Sequence, residues 1–160
     1  MTRAVVQDLL VRKSIVVNAP QDHVFRTFVE RIDTWWPRSH HIGKEPFAAI
    51  IEPRAGGRWF ERDGDGQVTN WGHVIAYEPP RRVLLAWDLD HEWKFTEGLN
   101  TEVEVTFESE GRGRTRVVLE HRRLDRYGDK AEMMRALFDG KDAWQGILEA
   151  FGKAAGRDHR

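Results

Sequence analysis

No cysteine occurs anywhere in the 160-residue chain. That excludes disulfides, thiolate metal sites and cysteine nucleophiles together, and it fits a reducing compartment. Neither sign of charge dominates: 25 basic residues stand against 26 acidic ones, interspersed, for a formal net charge of −1. A nucleic-acid footprint needs a basic stripe or patch, so nucleic acid is not an expected partner. Long apolar runs are missing as well. The brief one at Val5–Val11 is interrupted by Gln7 and Asp8, too short and too polar for a signal peptide or a membrane span. The expectation is a soluble, cytoplasmic protein with no integral membrane association.

What the chain has is tryptophan. Trp35, Trp36, Trp59, Trp71, Trp87, Trp93 and Trp144 spread over almost every segment able to form a core. Each brings a large aromatic area and one N–H that needs an acceptor. A chain of this length makes one domain (1–160, core about 12–152) that buries roughly 68–70% of its unfolded surface. Leu, Ile and Val suffice to fill such a core. So many indoles point to a wide, partly polar-lined interior, and a ligand cavity stands beside plain packing as the explanation.

Periodicity orders the elements. Arg12–Asn18 (RKSIVVN) is a β-branched run and predicts the first strand. After Pro20, Val24, Phe25, Phe28, Val29 and Ile32 recur at helical spacing, with Asn18 as the expected cap. Pro37 disfavours helix at Trp36, so Trp35-Trp36-Pro37 ends this helix or begins a second short one. From Phe47 the period falls to two. Strands are predicted over Phe47–Glu52, Arg58–Arg62, Val68–Tyr77, Val83–Asp88, Glu102–Phe107 and Thr115–Arg122, separated by Gly-, Pro- and Asp-rich turns. Beyond Lys130, Met134, Leu137, Phe138, Trp144, Ile147, Leu148 and Phe151 form one helical stripe. Gly140 marks a break in it, with Asp139 or Asp142 capping the second part. The sum is an α+β domain, a curved seven-stranded antiparallel sheet wrapped around a long C-terminal helix, with two short helices after strand one.

Several motifs lie along these elements in order: WWP (Trp35, Trp36, Pro37) with His40 downstream, IEPRAGGRWFE (Ile51–Glu61), WGHV (Trp71–Val74), EPPRRVLLAW (Glu78–Trp87), VEVTF (Val103–Phe107) and LEHR (Leu119–Arg122). Together they resemble the START-like, or SRPBCC, superfamily with its helix-grip (START/Bet v-like) fold. Within it they are similar to the branch named for activators of the heat-shock protein 90 ATPase, over about residues 12–152. The resemblance implies a cavity between sheet and last helix, and an association with stress response. It implies no single function, because the fold hosts lipid carriers, hormone binders, cyclases and chaperone regulators. Eukaryotic chaperone activators carry an additional N-terminal domain, whereas about a dozen residues precede the first strand here. The small single-domain bacterial type is therefore the expected match.

Strand parity then sorts the candidates within that fold. Trp71, His73, Ile75 and Tyr77 share one face and Gly72, Val74 and Ala76 the other, with the concave one left open. Trp87, Phe107, Leu119 and His121 are expected inside, topped by Trp36, Met134, Phe138 and Trp144. Trp59, Trp71 and His73 complete the candidate ligand-binding set. His121 and Glu61 are the candidate acid–base groups. Against that stand a buried histidine satisfied by its neighbours, and a Glu61 paired with Arg58, Arg62, Arg82 or Arg122. The adjacent His40-His41 lacks ligand spacing, and Asp63-Gly64-Asp65-Gly66 lacks the distal glutamate of a calcium loop, so neither metal nor cofactor is expected. Ser14, Ser39 and Ser109 lack the strand–turn–helix elbow of a hydrolase serine. The expected function is binding of an apolar or aromatic small molecule. An enzyme of cyclase or hydrolase type using the same cavity, or a chaperone-interacting domain, is the alternative; a homodimer stays open.

Overall fold

Seven antiparallel strands form one curved sheet in the computed structural model, which describes residues 9–159. They are β1 (Val11–Val17), β2 (Ala48–Ile51), β3 (Arg58–Arg62), β4 (Val68–Glu78), β5 (Arg82–Trp87), β6 (Thr101–Ser109) and β7 (Thr115–Arg122). Their spatial order is β1-β7-β6-β5-β4-β3-β2, a six-strand meander closed by β1 at its far edge. Alternation explains the pairing of β6 with β7. Thr101, Val103, Val105 and Phe107 on one strand, and Thr115, Val117, Leu119 and His121 on the other, turn into the core. The residues between them turn out and form a charged ladder. Arg122 bonds Glu102 (3.0 Å) and Glu104 (2.8 Å), and Arg82 bonds Glu104 (2.5 Å). Surface pairs of this kind contribute little energy each, but a slip of one residue would bury the charges, so they fix register.

Among the described residues four α-helices pack on the core side, α1 (Gln21–Glu30), α2 (Ile32–Trp35), α3 (Ala131–Phe138) and α4 (Gly146–His159), and a 3-10 helix over Leu124–Lys130 leads into α3. Helix α1 buries Val24, Phe25, Phe28 and Val29, as its spacing predicts. Asn18 does not cap it. Pro20 occupies the cap position with no side-chain bond, its ring fixing φ at −66°, and the Val24 N–H bonds the Pro20 carbonyl. The C-terminal helical stretch breaks at Gly140, where the sequence places the break, into two helices. Gly140 is extended (φ −74°, ψ 165°), and a wide irregular turn over Lys141–Gln145 separates α3 from α4; Asp139 is the C-cap of α3, and Gly140, not Asp139 or Asp142, holds the N-terminal cap position of that turn. Helix α4 then buries Ile147, Leu148, Phe151, Ala154 and Ala155. Its Phe151 ring meets Phe28 at 5.2 Å and Trp35 at 5.0 Å.

Strand β4 departs from simple alternation. Trp59 pairs with Gly72 while Phe60 pairs with Asn70, which leaves Trp71 as an extra, bulged residue. Val74 pairs with Leu85 and Ala76 with Leu84, which leaves Ile75 as a second one. Each bulge resets parity by one residue. Trp71 and Val74 are consequently both buried, and His73 and Ile75 face outward, so the four-residue face expected from Trp71 to Tyr77 does not exist. Among the described residues no helix is long and apolar enough to cross a membrane.

Candidate functional site

Five of the seven indoles meet at one end of the sheet. Trp36, just after α2, lies 5.1 Å from Trp71, 6.2 Å from Trp144 and 6.4 Å from Trp59, centroid to centroid. Trp59 contacts Trp71 (5.7 Å) and Trp87 (5.6 Å), and Trp87 contacts Trp144 (5.6 Å). Four N–H groups of the molecule's indoles find acceptors: Trp35 on the Thr27 carbonyl, Trp36 on the His40 carbonyl, Trp71 on Glu61 and Trp144 on His121. Those of Trp59 and Trp87 are buried without one. Rigid rings of this size do not close on one another completely. A cavity of about 680 Å³ remains, walled by Trp36, Trp71, Trp87, Trp144, Leu89, Phe138 and Ile147. That volume lies in the range of small-molecule sites.

Three segments build the rim: Ser39, His40, His41 and Ile42 after α2; Glu92, Trp93 and Lys94 between β5 and β6; and Leu137, Asp142 and Ala143 where α3 gives way to α4. Arg38 stiffens the first segment. Its guanidinium bonds the carbonyls of Trp36, Phe47 and Asp33 and lies 4.3 Å over the Phe47 ring. Two aspartates shape the second. Asp90 accepts the N–H groups of Glu92 and Lys94, and buried Asp88 accepts that of Asn100 at 2.7 Å. Burial pushes the Asp88 carboxyl up, opposed by the Asn100 N–H and by His73 at 3.6 Å. Ile42, Trp93 and Leu137 expose 39–43% of their surface at the mouth, an apolar lip around the opening.

His121 sits behind this cavity, wholly buried. Its Nδ1 accepts the Trp144 indole N–H at 3.0 Å, and its Nε2 lies 3.0 Å from the Thr101 hydroxyl. That hydroxyl donates to the Trp87 carbonyl at 2.8 Å, so it must accept from His121. The bonds therefore assign a neutral imidazole with the proton on Nε2. Burial lowers its pKa to about 3. With both nitrogens engaged and no opening to the cavity, His121 positions Trp144 and Trp87 and is not an acid–base group.

Glu61 is buried too, but none of the expected arginines reaches it. Arg58 bonds Glu52 at 2.8 Å, and Arg82 and Arg122 belong to the outer ladder. Instead the Glu61 carboxylate accepts the backbone N–H of Ile42 (2.8 Å), that of Gly43 (2.7 Å) and the Trp71 indole N–H (2.9 Å). It thereby fastens the rim segment and one indole wall to β3. Replacing it by Gln puts an NH2 group against these donors and is expected to destabilise the fold by roughly 2–3 kcal/mol. Urea unfolding of Glu61→Gln checks this; an unchanged midpoint would disprove the anchoring role.

Of the ligand-binding set expected from sequence, Trp36, Trp71, Trp87, Phe138 and Trp144 line the cavity. Trp59 backs Trp71 and Trp87, while Phe107 packs on Phe25 (5.1 Å) and Phe28 (5.8 Å). Leu119 and Met134 are fully buried core residues, and His73 lies on the outer side, displaced by the bulge at Trp71. The rim residues Ser39, His40, His41, Trp93 and Leu137 were not anticipated as lining. They lie in loops or at a helix end, where no period marks a face. The one signal was His40, which stands in the WWP motif region. The Asp63–Gly66 segment is a hairpin turn in which Asp63 Oδ1 takes the N–H groups of Asp65 and Gln67. Among the described residues no three His, Asp or Glu side chains converge as a metal-ligand set.

The family model for Activator of Hsp90 ATPase homolog 1-like protein matches residues 18–156. No curated protein matches the chain. Among solved structures, the anthrahydroquino-gamma-pyrone synthase Txn09, complexed with SUM, is 37% identical, covering 90% of this chain and 95% of its own, at a TM-score of 0.63. CalC from Micromonospora echinospora, a self-sacrificing resistance protein, is 28% identical over 93% of this chain and 95% of its own, TM-score 0.70. Protein Ms6760 from Mycobacterium smegmatis shares the fold at 16% identity, over 97% of this chain and 93% of its own, TM-score 0.61.

Proposed function

We propose that this chain, which belongs to the Activator of Hsp90 ATPase homolog 1-like family, acts as a single cytoplasmic domain that holds a flat aromatic small molecule in its tryptophan-walled cavity. The observation that carries this is the wall itself: four indoles bounding about 680 Å³ of space. Indole faces give planar rings offset-stacked and edge-to-face contacts beyond simple area burial, an advantage a flexible alkyl chain does not share. The polar rim of Ser39, His40, Glu92 and Lys94 suits a molecule with hydroxyl or carbonyl groups along one edge. The 37%-identical relative supports this chemistry, since its name places a fused aromatic system in its reaction. That relative is a synthase, which also supports a second reading in which the bound molecule is transformed and not only held.

Titration of intrinsic fluorescence tests the first reading. A hydroxyanthraquinone is expected to quench the tryptophans saturably with one molecule per chain, and a fatty acid of similar mass to quench far less. Absence of saturable quenching by any planar aromatic would overturn it.

A further inference from the structure

Resting on that reading of the cavity, we infer that Ser39 and His40 form a proton-relay pair on its rim, serving a ligand that bears an acidic phenol or enol. Both residues line the cavity. His40 Nε2 lies 2.8 Å from the Asp142 backbone carbonyl, which can only accept, so this nitrogen carries the proton. In the neutral imidazole Nδ1 then holds the lone pair, and the Ser39 hydroxyl, 2.8 Å away, donates to it. The arrangement is a hydroxyl, a neutral imidazole to receive its proton, and a fixed acceptor that sets the imidazole tautomer. It differs from the His121 network in one decisive respect: Ser39 is exposed and His40 only half-buried, at the edge of the cavity.

The pair is held in place before any ligand arrives. The Trp36 indole bonds the His40 carbonyl at 2.8 Å, the His40 N–H bonds the Pro37 carbonyl at 3.0 Å, and Arg38 clamps the same turn. The charged and titratable groups around it are also placed. Asp142 and Glu92 bring carboxylates to the rim from the α3–α4 turn and the β5–β6 loop, and Lys94 brings one opposing cation. His41 is committed elsewhere, with Nδ1 donating to the Gly43 carbonyl at 2.7 Å and Nε2 lying 3.7 Å from Glu45. In the transfer, the ligand O–H proton passes to Ser39 Oγ as the Ser39 proton passes to His40 Nδ1. The products are a ligand oxyanion and an imidazolium, and the reverse steps return the proton. No bond between heavy atoms forms or breaks, and no other reactant is needed.

Alizarin, a hydroxyanthraquinone whose colour reports its own ionisation, serves as the probe. Its acid–base transition when bound to the wild-type protein is expected at least about one pH unit, a tenfold change in equilibrium, below that when bound to His40→Gln. Ser39→Val, which covers Nδ1 with a methyl group, should lose the same shift, and as a surface loop change it serves if the histidine variant folds poorly. Quenching should weaken in the variants, because both residues belong to the rim, while the indole walls still hold the probe at saturation and let its bound transition be read. Quenching with coincident transitions in all three proteins overturns the relay and leaves the cavity reading standing. No quenching of the wild type overturns the cavity reading, and the relay with it.

Discussion

Between pH 6.5 and pH 4 the protein is expected to lose on the order of 3 kcal/mol of folding stability through His121 alone. The native imidazole resists protonation down to about pH 3 because burial removes it from water. The unfolded chain takes up its proton near 6.5, the ordinary value. Across that interval the unfolded state binds more protons, so stability falls as pH falls, by at most about 1.4 kcal/mol per unit. Other groups titrate in the same range, and a comparison isolates the histidine. His121→Gln retains a donor and an acceptor for Thr101 and Trp144 but carries no titrating proton. Urea unfolding at pH 7, 5.5 and 4.5 should show the wild type falling faster than the variant by nearly one proton's slope. Parallel pH dependences would disprove it. At pH 7 the variant itself is expected to be about 1–3 kcal/mol less stable, since the Trp144–His121–Thr101 chain loses its geometry.

Gly72→Ala is expected to be at least as damaging at every pH. A Cβ on Gly72 would stand 1.7 Å from the Ala86 carbonyl oxygen and 2.8 Å from its carbon. Both are backbone atoms of β5, a strand in the middle of the sheet, so no side chain can rotate away. Glycine inside a strand marks such a close approach or a bulge, and here both coincide, with the bulged Trp71 immediately before it. Relief requires β4 and β5 to part where Gly72 pairs with Trp87, which moves an indole wall. The expected loss is about 3 kcal/mol or more, together with loss of aromatic ligand binding. Thermal unfolding and near-ultraviolet dichroism of the tryptophans check it. A wild-type melting temperature and an unchanged aromatic spectrum would show that the strands absorb the methyl group.

These two residues mark where sequence reasoning succeeded and where it stopped. Strand limits were legible because side chains alternate. Arg58–Arg62 and Thr115–Arg122 fall where predicted, and the motifs from Trp35 to Arg122 carried the family. Burial of His121 followed from its place on the Val117–Leu119 face. The satisfied core histidine was one of two readings, and its actual partners were not legible, because Trp144 and Thr101 come from 23 and 20 residues away in sequence. Bulges were invisible for a related reason. An extra residue in β4 leaves the local pattern readable while reversing its faces, so His73 was grouped with Trp71 as a ligand contact and the structure puts the two on opposite faces. For Glu61 the sequence offered an acid–base role or an arginine partner and neither is found, because its partners are mostly backbone N–H groups, which no sequence displays. The rim was the least legible part, since loops such as that holding Trp93 have no period and their side chains converge only through the fold.

The ring contacts that join Trp36, Trp71, Trp59, Trp87 and Trp144, none longer than 6.4 Å in the chain linking them, also have an optical consequence. At such separations excitation passes between indoles before it decays, and Trp35, 5.8 Å from Trp36, shares in this, so these indoles emit as a coupled group and not as independent lamps. A guest that meets only Trp36 at the mouth drains light absorbed at Trp59, which it never touches. The emission of this protein therefore counts whether the cavity is occupied and says little about which wall the occupant leans on.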